Sequence, residues 1–182
     1  MTRSNRLAAV LVGFCFLVAA PSARADLTGS SLTVEALGGW QNLQLSRGSL
    51  GGAVSGNAGT AILGADVLAK MGLFGLGLSL DKAIAGDVQP WDGSIMAGLL
   101  IDLLPSLRLE ALGEIGRRAV DFGDMFGSAG GTFLGLRPGV SFRLLPSPIR
   151  IGVTGLVRWP TSGSDVGSPD FGIIARVGFE LP

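Results

Sequence analysis

Three carboxylates, Asp102, Glu110 and Glu114, fall at spacings that would let them share one enclosed space, where paired carboxylates can divide the roles of acid and base. Arg108, Arg137 and Arg143 offer the competing arrangement, a salt-bridge network in which the same acids are neutralised rather than poised. The residue inventory favours the network. There is no histidine, so general-base catalysis of the histidine type is absent. The single cysteine, Cys15, lies in an apolar leader, which removes thiol chemistry, disulfides and Cys/His zinc sites from the rest of the chain. Asp121, Asp124, Asp165 and Asp170 are oxygen donors for calcium, but their spacing matches no calcium loop. The glycine-rich stretch 48–59 lacks a Gly-Lys-Ser/Thr ending and opens no helix, so it reads as a surface loop and not a phosphate cradle. No cofactor, metal site or enzymatic activity is expected.

The elements that would hold these side chains begin after a leader. Arg3 and Arg6 precede an apolar run over 7–20, and Ala23 and Ala25 provide small residues for cleavage. Residues 1–25 therefore read as a signal peptide and 26–182 as one domain. Losing Arg3, Arg6 and Arg24 takes three of the 14 basic residues against 14 acidic ones, leaving a net charge of about −3. That balance argues against nucleic-acid binding. No stretch of the remaining chain is long and apolar enough for a membrane helix, yet the full sequence, with its 30 glycines, has a positive mean hydropathy.

The reason is a period of two. In 171–181, Phe171, Ile173, Ala175, Val177, Phe179 and Leu181 alternate with Gly172, Ile174, Arg176, Gly178 and Glu180. Period two is the mark of a β-strand. Eight strands are expected, at 31–41, 60–70, 73–82, 94–104, 107–117, 132–144, 149–159 and 170–181. Their connections alternate long and short, as in an up-and-down outer-membrane barrel whose extracellular loops are longer than its periplasmic turns.

Alternation alone also fits a soluble barrel with its apolar face inside. The polar face decides. It carries Glu35, Asp66, Lys70, Asp81, Asp102, Arg108, Glu110, Glu114, Arg137, Arg143, Arg150, Arg158, Arg176 and Glu180. Arginine with carboxylates suits enclosed pairing, because the guanidinium fork meets a carboxylate at two points. Glycines on the same face leave room for those long side chains in a narrow interior. The opposite face, with Leu76, Leu78, Leu99, Ile101, Leu134, Leu136 and Val153, suits lipid. Trp40 and Trp159 fall where an interfacial aromatic belt would lie. Arg117 and Arg118, at the expected outer rim, are candidates for contact with lipopolysaccharide phosphates.

With its export signal, eight strands, loop asymmetry and charged, glycine-lined interior, the chain resembles the small eight-stranded outer-membrane barrels of the OmpA/OmpX kind. The resemblance spans 26–182 and is architectural. It implies insertion by the outer-membrane assembly machinery, which reads the last strand. Here that strand alternates correctly and carries Phe179 near its end. The expected fold class is all-β, an eight-stranded antiparallel up-and-down transmembrane β-barrel among outer-membrane lipids and lipopolysaccharide. The expected role is structural or surface-interacting, with the charged lumen plugged. A narrow pore lined by the same ions and a soluble periplasmic ligand-binding barrel are the alternatives.

Overall fold

The computed structural model describes residues 29–45, 56–85, 89–121, 128–162 and 169–182. The expected signal peptide and most of the stretch 48–59 lie outside the described residues.

The chain forms eight strands: β1 (Ser30–Leu45), β2 (Gly56–Met71), β3 (Phe74–Ala83), β4 (Trp91–Asp102), β5 (Leu107–Asp121), β6 (Ser128–Arg143), β7 (Ile149–Pro160) and β8 (Asp170–Leu181). Each pairs antiparallel with its sequence neighbours, and β1 pairs with β8 from Leu32↔Leu181 to Asn42↔Phe171. The sheet therefore closes and has no free edge, which is what lets strands satisfy every backbone polar group without water. At the end holding both described termini the connections are short. The tightest is the β2–β3 turn, where Gly72 takes a φ of +62°, a left-handed conformation that glycine adopts without a steric penalty.

The eight strands and their order match expectation, but several outer ends run further than the apolar pattern predicts. β1 continues to Leu45, β2 begins at Gly56, β5 continues to Asp121 and β6 begins at Ser128. Backbone pairing persists there, as in Leu45↔Gly56 and Asp121↔Ser128. Crossing a bilayer takes only about 9–11 tilted residues. Beyond that length the outward face no longer meets lipid and need not be apolar, so alternation fades while the hydrogen-bonded ladder continues. β4 also starts earlier than predicted, at Trp91, and ends at Asp102 rather than residue 104.

The exterior is apolar. Leu76, Leu78, Ile95, Ile115, Leu134, Leu136, Val153, Ile173 and Phe179 all stand exposed. A continuous surface of this kind would aggregate in water and fits hydrocarbon. The inverse, soluble arrangement is not the one the chain adopts. The interior is narrow, and inward glycines relieve its crowding. A Cβ built on Gly98 would stand 2.1 Å from the Ala111 carbonyl oxygen, and one on Gly178 would stand 2.2 Å from that of Val34.

Candidate functional site

The candidate site is the lumen, where parity along each strand aims ionised side chains inward. Towards the outer end, Arg158 of β7 is wholly buried and engages three carboxylates. Its Nη2 donates to Asp81 at 2.7 Å, its Nη1 to Asp92 at 2.8 Å and its Nε to Glu114 at 2.7 Å. Arg118 donates to both oxygens of Asp92, at 2.8 and 2.7 Å, and to Asp170 at 2.6 Å. Phe133 projects inward beside both arginines, 4.7 Å from the Arg158 guanidinium carbon and 6.0 Å from that of Arg118. Gly116 makes space for this ring, since a Cβ there would lie 2.3 Å from it. A planar cation packed on an aromatic face while its edge binds carboxylates is a role that lysine cannot fill.

Near the middle, Arg176 bridges Glu35 at 3.0 Å and Glu110 at 2.7 Å. Ser141 donates to Glu110 at 2.6 Å. Arg137 pairs with Asp66 at 3.0 Å and approaches Glu114 at 3.9 Å. At the periplasmic end, Glu180 accepts from Arg108 and from Arg150, the latter at 2.7 Å, and Arg143 lies 3.9 Å away. Asp102 is bonded by Lys70 and by Arg108 Nε, the latter at 2.7 Å. This last group opens into a cavity of about 190 Å³ at the barrel mouth.

Every residue of the expected lumen set is thus placed within one of these groups. The three carboxylates first considered for acid–base work do not converge. Asp102 lies at the periplasmic mouth, Glu110 is held by Arg176, and Glu114 is held by Arg158. Each has its own arginine, which suits neutralisation rather than proton transfer. Among the described residues there is no cluster of potential metal ligands. Asp170, one of the candidate calcium donors, is buried inside the barrel and paired with Arg118. Asp124 and Asp165 lie outside the described residues, as does the side chain of Asp121.

Arg117 and Arg118, both expected at the outer rim, face opposite ways. Neighbours in a strand point to opposite faces. Arg118 turns inward to Asp92 and Asp170, and only Arg117 faces out.

Two features were not read from the sequence. The lumen also holds apolar layers. Leu37, Ile62, Ala83, Leu156 and Ile174 form one, and Leu68, Met96, Leu100 and Leu112 form another. The aromatic belt has a third tryptophan, Trp91, exposed like Trp40 and Trp159 and capped by the Lys82 ammonium at 4.9 Å.

No protein-family profile matches the sequence, and no curated protein matches it. Solved structures do match the fold. Ail, the attachment invasion locus protein of Yersinia pestis, crystallised with the heparin analogue sucrose octasulfate, aligns with a TM-score of 0.57 at 14% identity, covering 84% of this chain and 99% of that one. Neisserial surface protein A aligns with a TM-score of 0.57 at 13% identity, covering 84% of this chain and 97% of that one. A second Ail crystal structure aligns at 0.54 and 16% identity, covering 84% and 99%. The chain is an eight-stranded transmembrane β-barrel with the architecture of these small surface barrels.

Proposed function

We propose that this protein is a non-enzymatic integral barrel of a bacterial outer membrane, exported by its 1–25 leader. In this reading its lumen is plugged by ion pairs and apolar layers, and its working surfaces are the loops and the lipid-facing wall. The observation that carries this reading is the pairing of faces: an exposed apolar exterior around buried Arg–carboxylate groups such as Arg158 with Asp81, Asp92 and Glu114. Burying these ions is tolerable only where each meets a partner, and filling the interior with them leaves little room for solute. Two clusters of apolar side chains, around Ile62 and around Leu100, share the interior with these ions. Phe179, outward on the terminal strand, suits recognition by the assembly machinery.

The loops argue for a different surface partner from the sulfated sugar seen on Ail. The outer connections 46–55, 84–90, 122–127 and 161–169 carry Arg47 against Asp87, Asp124 and Asp165. The net acidic charge of these connections disfavours a highly sulfated sugar. Arg117, outward at the rim, is the residue suited to a lipopolysaccharide phosphate.

The test is reconstitution. The folded barrel should migrate as a compact band on SDS gels without boiling and shift when boiled. All three tryptophans, Trp40, Trp91 and Trp159, face outward and should be quenched by lipid-borne quenchers placed at interfacial depth. A β-rich protein that stays soluble without detergent and shows neither effect would overturn the reading.

A further inference from the structure

The lipid-facing wall is not uniform. Across β4–β7 one register row reads Ile95↔Ile115↔Leu134↔Trp159, all exposed. The next row towards the periplasm begins Ala97↔Gly113 before reaching Leu136. Large side chains beside small ones leave an open groove of about 550 Å³, almost entirely apolar, with Ala97 and Gly113 as its floor. Gly113 is not required by packing, since a Cβ there would meet only the Ala97 carbonyl oxygen, at 3.7 Å. This contrasts with inward glycines such as Gly98 and Gly178, whose Cβ atoms would collide with backbone.

Directly outward of the groove the chemistry changes. The next row is Gly93↔Arg117↔Thr132. Thr132 Oγ1 lies 2.9 Å from Thr161 Oγ1 and 2.8 Å from Ser162 Oγ, so three hydroxyls gather beside the arginine. Arg117 is exposed, and among the described side chains no carboxylate forms an ion pair with it. An unneutralised guanidinium on the lipid-facing wall is costly unless something anionic meets it at the interface. The groove below it is suited to hydrocarbon.

We propose that this wall seats one molecule of the outer leaflet's acylated, phosphorylated glycolipid, lipopolysaccharide. An acyl chain lies in the groove over Ala97 and Gly113, and a lipid A phosphate is held by Arg117 with the Thr132, Thr161 and Ser162 hydroxyls. The site lies at the outer end, where this lipid supplies the leaflet, and the arginine fork with neighbouring hydroxyls matches a phosphate better than a neutral sugar. The inference rests on the outer-membrane reading above and extends it from a single arginine to a lipid seat.

The test uses native mass spectrometry of the folded barrel in detergent, offered diphosphoryl lipid A, dephosphorylated lipid A or phosphatidylglycerol. One diphosphoryl lipid A should be retained per barrel, with the other two lipids held more weakly. Arg117→Ala should weaken retention about fivefold, as expected for one interfacial charge. Gly113→Leu should fill the groove and weaken retention comparably. Ala36→Leu, which places the same side chain on the outward face of β1 across the barrel, should leave it unchanged. Equal retention by the wild type and both site variants would overturn the seat. So would equal binding of dephosphorylated lipid A or of phosphatidylglycerol, or a dimer that Gly113→Leu dissociates. Heat-shifted gel migration of each variant is read alongside: if it persists while retention is insensitive, the seat fails and the membrane barrel stands, and if the wild type lacks it, the membrane reading itself fails.

Discussion

The outer and periplasmic ends of the lumen are built from the same residue types and reach different ends. At the outer end, Arg158 is sealed from solvent and shared among Asp81, Asp92 and Glu114, with Phe133 against its face. At the periplasmic end, the side chains of Arg143 and Asp102 are 32% and 36% exposed, and the group opens into a small cavity. Burial is what separates them. A sealed cation holds its carboxylates in a medium where losing one partner strands the others, whereas water at the mouth replaces a lost partner at little cost. The outer network is therefore sealed from solvent, and the periplasmic group is partly solvated.

Removing the central cation of the sealed group should produce the largest effect. Arg158→Leu leaves three buried acids without their shared partner and should cost about 3–5 kcal/mol, read as a lower urea midpoint for the barrel in vesicles. Adding Asp81→Asn and Asp92→Asn to that variant should recover part of the loss, because the stranded charge is removed with its partner. A failure to recover would mean that Arg158 matters through packing on Phe133 rather than through charge.

The next effect in size comes from glycine. Gly98→Val drives a side chain into the Ala111 carbonyl and should cost about 1–3 kcal/mol by overpacking. Gly113→Ala, on the lipid face, should stay within about 0.5 kcal/mol, as for a surface change. The same unfolding series measures both. Equal costs would mean that the inward glycines are not spacers for the lumen.

The smallest effect is expected at the periplasmic mouth. Arg143→Ala should change stability by less than about 1 kcal/mol, in line with an exposed ion pair. A loss comparable to that of Arg158→Leu would erase the distinction between the two ends.

Much of this was legible in the sequence, and the gaps share a cause. The 171–181 alternation reveals β8 and its faces because lipid demands an apolar residue at every second position. Where lipid ends, that demand ends. Arg118 has the parity of Glu110 and Glu114, Asp92 that of Ser94 and Met96, and Asp170 that of Arg176 and Glu180. Extending the expected fourth and fifth strands by one or two residues would have turned Asp92 and Arg118 inward, while Asp170 already stood at the start of the expected 170–181 strand. The extension was hidden because solvated outer walls carry no pattern. Trp91 was missed for the same reason, lying between Pro90 and Gly93 where the residues read as a loop. The inner apolar layers were hidden differently. Around Ile62 and Leu68 both faces of β2 are apolar, so period two has no contrast to report. The lipid-facing groove required the register of β4 to β7, which no single strand contains.

The central claim is that ion pairs and apolar layers close the lumen. Single-channel recording on the barrel reconstituted in planar bilayers tests it most directly. The account predicts no steady conductance from the wild type. Reproducible open steps whose size changes in Arg158→Leu or Arg137→Ala would contradict it and establish a pore lined by those charges.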